Sequence, residues 1–140
     1  MKGAKVLSSK EIMILLQDES QRDRILILVG LYFGTRISET VQLTFVDFKG
    51  QAMHVRSVKR SNDSHLIIPD EFRIELAKLK SFYLCRDCPI SDSSPLFLSQ
   101  KRDRAGNCKP ISREHACEII KALRNRYGLD ERVSAHSLFK

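Results

Sequence analysis

Gly34-Thr35-Arg36-Ile37-Ser38-Glu39 places one guanidinium between a glycine and the opening of a short helical pattern. An arginine fixed at a helix start, behind a rigid apolar support, suits a phosphate group. Its planar fork offers two parallel N–H donors, and the first backbone amides of the helix add more. The same spacing also fits a surface pair, Arg36 with Glu39 at i, i+3, worth only ~0.2–0.5 kcal/mol. Spacing alone favours that simpler reading. Four cysteines offer metal binding as a second chemistry. Cys85 and Cys88 form C-x-x-C, but Cys108 and Cys117 make no second tight pair. His115 stands two residues from Cys117, a poor helical spacing for sharing a metal. Reduced thiols and no metal are the expectation, with Cys117 in a helical core pattern beside Ala116. His54 and His65 read as hairpin surface residues. His136 reads, on its own, as a helix-start cap or a core histidine.

The elements that must position these residues follow from periodicity and capping. Ser8 and Glu11 make a capping box for a helix from about Ser8 to Gln17, with Leu7 and Ile12 at the staple positions. A second helix runs from Ser20 to Phe33. Its first turns are charged, and its last turns are apolar on every face, which predicts that protein surrounds them. Gly34 fits its C-cap, and a short third helix covers about Arg36 to Leu43. Val46 to Val58 reads as strand material around a Lys49-Gly50 turn. Arg60-Ser61-Asn62-Asp63 reads as a turn, and Leu66 to Ile68 as a strand closed by Pro69. A fourth helix covers Asp70 to Leu84, with Phe72, Leu76, Leu79 and Tyr83 on one face. Cys85 to Pro95 reads as a loop, Leu96 to Leu98 as a short buried segment, and Gln100 to Pro110 as a polar, basic loop. Ser112 caps a fifth helix reaching Tyr127, and Ser134 opens a last one. The fold class predicted is α+β: mainly helical, with a small three-stranded antiparallel sheet.

Whole-chain properties narrow the function classes. A chain of 140 residues suffices for one domain with a real core and not for two. The longest apolar run, Ile25 to Phe33, is about half of the ~20 residues a membrane span needs. Met1 to Lys5 lacks the apolar core and cleavage site of a signal peptide. These features predict a cytoplasmic protein without a membrane partner. A net charge of +7 and a pI near 9.4 favour partners made of phosphate, nucleic acid first.

The segment from Gly34 to Glu39 resembles the first arginine box of the tyrosine recombinases, the phage-integrase family. There a hydrophobic helix ends in Gly-x-Arg-x-Ser-Glu and continues into Leu-x-x-x-Asp. Here the continuation is Leu43-Thr44-Phe45-Val46-Asp47. The resemblance extends both ways. Leu7 to Glu11 looks like the leader helix of the family's catalytic domain. Val58-Lys59-Arg60 before Leu66-Ile67-Ile68-Pro69 looks like the hairpin bearing the catalytic lysine. Leu96-Phe97 and the helix after Ser112 sit where the family has its Leu-Phe segment and next helix. Ala135-His136-Ser137-Leu138 looks like the start of the His-x-x-Arg box. The resemblance implies DNA strand exchange with no metal or nucleotide cofactor. A tyrosine attacks the scissile phosphate, two arginines hold its oxygens, a lysine protonates the leaving 5′-oxygen and a histidine assists. It implies Arg36 as the first arginine, Lys59 as the lysine and His136 as the histidine. Each has a plainer alternative, which for Lys59 is a solvated turn residue.

Three departures qualify the match. Position 139, where the second arginine belongs, holds Phe139. Lys140 is turned roughly 100° away on a helix. Tyr32, Tyr83 and Tyr127 all fall in helical core patterns upstream of His136, so none matches the nucleophile. Ser8 opens the leader helix almost at once, so residues 1–140 are expected to form one incomplete catalytic-like domain without the family's N-terminal clamp. The reading is therefore a DNA-binding integrase-like protein, not cleavage-competent as this chain. A fragment of an active integrase, and a basic regulatory or protein-binding module, stand as alternatives. An incomplete C-terminal edge is expected to offer a surface to a second copy or another protein.

Overall fold

The computed structural model of the chain describes residues 6–17, 20–55 and 64–139. Helix α1 (Ser9–Leu15) is set by the anticipated capping box: the Ser8 hydroxyl accepts from the Glu11 amide at 3.2 Å, and Glu11 Oε1 accepts from the Ser8 amide at 3.0 Å. Helix α2 (Gln21–Phe33) starts at Ser20, whose hydroxyl accepts from the Asp23 amide, and stops at Gly34 in the left-handed conformation, φ 57°. Ile25 to Gly30 and Phe33 are buried, so α2 runs through the core. Its surroundings are not complete, however. Tyr32 is 42% exposed and Leu31 is also at the surface, where an all-round apolar helix end predicted burial. Among the described residues, no helix is long and apolar enough to cross a membrane.

Helix α3 (Ile37–Thr40) is a single turn. The strand expected from Val46 begins instead as a 3₁₀ turn, Phe45–Phe48, closed by its own capping box: Asp47 Oδ2 accepts from the Thr44 amide at 2.8 Å. The physical reason is spacing. Phe45 and Phe48 are buried three apart while Val46 is 49% exposed, a helical rather than an alternating pattern. Strand β1 (Ala52–Val55) then pairs antiparallel with β2 (Ser64–Ile67), Val55 opposite Ser64 and Ala52 opposite Ile67. Helix α4 (Asp70–Leu84) has the anticipated bounds, packs on α2 and buries Phe72, Leu76, Leu79 and Tyr83.

The basic segment from Gln100 to Pro110, expected to be a loop, forms a second hairpin: β3 (Leu98–Arg102) pairs with β4 (Cys108–Pro110). Asp103 Oδ1 closes its turn by accepting from the amides of Ala105 and Asn107, both at 2.9 Å. The pairing among the described residues is thus two separate two-stranded sheets, not one of three strands. The class is unchanged: mainly helical with little antiparallel sheet. Helix α5 (Arg113–Arg126) is capped by Ser112 and buries Ala116, Ile119, Ile120 and Leu123. A second 3₁₀ turn, Ala135–Ser137, follows Ser134 and packs on α5.

Glu75 joins three helices. Its Oε2 accepts from the Gln21 side-chain Nε2 at 2.7 Å and from Arg24 Nε at 3.1 Å, while Arg24 Nη1 reaches the Leu16 carbonyl at the end of α1 at 2.6 Å. Burial alone would raise the Glu75 carboxyl. The Gln21 and Arg24 hydrogen bonds and the charges of Arg24 and Lys78 outweigh it and hold the group below its ordinary range. A folded-state value below the unfolded one stabilises the fold above the unfolded value, and that stability is lost as pH falls through the folded one. Glu75→Gln is expected to cost about 1 kcal/mol near neutrality. The gap to the parent should close on acidification below the ordinary glutamate range, in urea unfolding followed at both pH values. A gap that widens on acidification contradicts this assignment.

Candidate nucleic-acid interface

Arg36 sits at the corner between α2 and α3, and its backbone is held on both sides. Gly34 N–H donates to the Gly30 carbonyl at 3.0 Å, completing α2. The Arg36 amide donates to Glu39 Oε1 at 3.0 Å. The Arg36 carbonyl accepts from the Thr40 amide and the Thr40 hydroxyl, both at 2.9 Å. Thr40 and Thr35 are buried, with their hydroxyls 2.5 Å apart. Glu39 therefore serves the backbone of Arg36. Among the described residues its carboxylate makes no ion pair with the guanidinium. The half-buried Arg36 side chain has no hydrogen-bond or ion-pair partner among those residues. The surface pair that spacing favoured is absent there. What remains is a fixed backbone whose guanidinium meets no described acceptor.

His136 lies on the exposed side of the second 3₁₀ turn, while Ala135, Leu138 and Phe139 face inward. It is not a core histidine, and Ser134 occupies the cap position. Phe139 N–H donates to the Ala135 carbonyl at 2.8 Å, which folds the segment back on itself. Leu138 and Phe139 press on Gly30: a Cβ placed there would stand 3.0 Å from Leu138 Cβ and 3.1 Å from the Phe139 ring. The second 3₁₀ turn is thereby seated on the last turns of α2, one helical turn before Gly34. Helix α3 also packs on α5, against which this turn rests. The elements bearing Arg36 and His136 converge on one end of α2.

Lys59, the position the resemblance gives to the lysine, lies outside the described residues. Strands β1 and β2, which precede and follow that segment, are paired as expected. The tyrosines need one correction. Tyr83 is buried as predicted, with its hydroxyl donating to the Leu96 carbonyl at 2.7 Å and accepting from the Leu98 amide at 2.9 Å. Burial pushes its phenol well above the ordinary range, against the pull of the Leu98 amide. Tyr32 is not a core residue. Its hydroxyl donates to Glu71 Oε2 at 3.2 Å, and burial followed by that hydrogen bond raises it. Tyr127 is half-buried at the end of α5. The β3–β4 hairpin adds a feature that sequence reading took for loop: Lys101, Arg102, Arg104 and Lys109 stand exposed on it. Asp103 and Gly106-Asn107 were the available turn signal.

A family model described as the phage integrase family matches residues 5–138. The chain belongs to the phage integrase family. That match spans every element from α1 to the second 3₁₀ turn, including the segments around Arg36, Lys59 and His136. Solved integrases and recombinases share the fold. XerA recombinase is 22% identical with a TM-score of 0.75, over 99% of this chain and 48% of that one. Lambda integrase bound to DNA is 13% identical with a TM-score of 0.66, over 96% of this chain and 48% of that one. The lambda integrase catalytic core is 14% identical with a TM-score of 0.66, over 95% of this chain and 77% of that one. The chain thus spans about half the length of XerA and of the DNA-bound lambda integrase. No curated protein matches it in sequence.

Proposed function

We propose that this phage integrase family chain binds DNA through its phosphate backbone, with Arg36 as the anchoring guanidinium and Lys59 and His136 beside it. The protein is linked to DNA integration or site-specific recombination, and its site of action is the cytoplasm. The observation that carries the reading is the Arg36 corner. Its backbone is fixed by Glu39 and Thr40, while its guanidinium has no partner among the described residues. The net charge of +7 supplies the long-range attraction such a site needs. A family relative, lambda integrase, is known in a DNA-bound structure of the same fold. The chain does not cleave DNA by itself, because Phe139 stands where the second guanidinium of the family pattern belongs.

A salt titration tests the reading. If about four phosphates are neutralised, log K should fall with log salt at a slope near −3.6. Arg36→Ala should make that slope shallower by about 0.9, the contribution of one phosphate, and weaken binding on every sequence alike. Its thermal stability should stay within about 0.5 kcal/mol of the parent, since no described contact is lost. Salt-independent binding, or an unchanged slope in Arg36→Ala, contradicts the assignment.

A further inference from the structure

Cys88 and Cys108 are separated by 20 positions and belong to different elements, yet their Sγ atoms lie 2.7 Å apart. That is within an ångström of the ~2.05 Å of a covalent disulfide. The backbone on each side explains the approach. Helix α4 is capped at Cys85, and Asp87 takes the left-handed conformation, φ 58°, which a non-glycine residue rarely adopts. This turns the chain back, so that the Cys88 amide donates to the Tyr83 carbonyl at 3.0 Å. Cys108 opens β4 opposite Arg102, the last residue of β3. Arg102 Nη2 in turn donates to the carbonyls of Arg86 at 3.1 Å and Asp87 at 3.3 Å, and lies 3.7 Å from Cys88 Sγ. The hairpin is therefore clamped to the end of α4 before any bond forms between the sulfurs.

Each thiol also has a route to solvent. Cys88 lines a cavity of about 240 Å³ with Arg22, Arg86 and Arg102, and Cys108 lines another of about 160 Å³ with Pro89, Gly106 and Asn107. Cys85 is exposed and Cys117 half-buried, and neither has a described sulfur partner.

We propose that Cys88 and Cys108 are a thiol–disulfide site, oxidised by a small disulfide of the glutathione class to an internal bond that staples the β3–β4 hairpin to the end of α4. Cys108, the more exposed of the two, reacts first. Its thiolate attacks one sulfur of the oxidant, the oxidant's S–S bond breaks, and one small thiol leaves with the proton that Cys108 gave up to solvent. The Cys88 thiolate then attacks Cys108 Sγ, the mixed disulfide breaks, and the second small thiol leaves with the proton from Cys88. Two protein thiols are oxidised and one small disulfide is reduced to two thiols. Burial, then the hydrogen bond and charge of Cys108, push the Cys88 thiol up, which fits its role as the second attacker. The hairpin so fixed carries Lys101, Arg102, Arg104 and Lys109.

The 140-residue protein is equilibrated in glutathione buffers of increasing oxidised share, alkylated under denaturing conditions and mapped by peptide mass. Two of the four thiols should become protected, joined in one Cys88–Cys108 peptide and freed by a dithiol reductant. The Cys85→Ser, Cys117→Ser double variant should behave the same. Cys88→Ser should instead stop at a glutathione adduct on Cys108. The oxidised protein should gain on the order of 10²-fold in its folded-to-unfolded ratio, the effect of closing a loop of this length. Four alkylated thiols in the most oxidising buffer, a Cys85–Cys88 link, or adducts without an internal bond would overturn the proposal.

Discussion

Mixed with a nicked or suicide DNA substrate, the 140-residue chain is expected to give no covalent protein–DNA complex. The family chemistry implied by the arginine box needs a tyrosine hydroxyl in line with a scissile phosphate and a second guanidinium across from the first. Phe139 is 4% exposed and folded onto Gly30, so position 139 faces the core and offers no charge. Loss of one transition-state donor typically costs ~2.7–4 kcal/mol, a rate loss of 10²–10³. Among the tyrosines, Tyr83 has both hydrogen-bonding directions occupied inside the core, and burial holds it protonated. Tyr32 donates to Glu71, which also favours the neutral phenol. Tyr127, half-buried at the end of α5, precedes His136 and so does not match the family's nucleophile. Where no tyrosine takes that role, the covalent route is removed rather than slowed. Phe139→Arg should restore nothing. It would also bury an unpaired charge against α2, at an effective cost of several kcal/mol, so its melting temperature should drop sharply. The measurement is a denaturing gel with labelled DNA. A detergent-resistant band that disappears in Tyr32→Phe, Tyr83→Phe or Tyr127→Phe would mean that one of these residues is a nucleophile after all.

What was legible in the sequence was local chemistry. The Ser8–Glu11 box, the Ser112 cap and the Gly34 stop each depend on residues within four positions, and each stands where expected. Helix α4 was legible because Phe72, Leu76, Leu79 and Tyr83 repeat at one helical face. The errors arose where local pattern is ambiguous or where the partner is distant. Phe45-Val46-Asp47-Phe48 has strand-forming residue types, but its buried pair is three apart and Thr44–Asp47 closes a turn. The β3–β4 hairpin leaves most of its residues exposed, so it shows no alternation to detect. Spacing could not tell whether Glu39 would meet the guanidinium of Arg36 or its amide, since both lie within reach at i, i+3. The amide wins because a helix start leaves it without an internal acceptor. The Cys88–Cys108 approach was not readable, because the C-x-x-C pattern directs attention to Cys85 rather than to a residue on another element.

Phe72→Ala should be the most destabilising single truncation near the Arg36 corner, at about 3–5 kcal/mol. Phe72 is fully buried, and its ring centroid lies 5.2 Å from Phe33 at 90° and 5.2 Å from Phe48 at 39°. Phe33 is the last residue of α2, three before Arg36, and Phe48 closes the 3₁₀ turn that follows α3. One ring therefore wedges together α2, α4 and the segment leaving the arginine box. Removing it leaves a cavity that α2, pinned at Ser20 and Gly34, can only partly close. Against a usual total of ~5–15 kcal/mol, a third or more of the stability would go. The melting temperature should fall by roughly 10–20 °C, and Phe72→Leu, which keeps most of the volume, should lose much less. The variant also separates stability from recognition. Under conditions where Phe72→Ala is still folded, its salt slope on DNA should match the parent's, because no guanidinium has been removed. Arg36→Ala should show the reverse, a parent-like melt and a shallower slope. A shallower slope in Phe72→Ala while it remains folded would mean that the aromatic wedge itself sets the position of the phosphate-binding arginine.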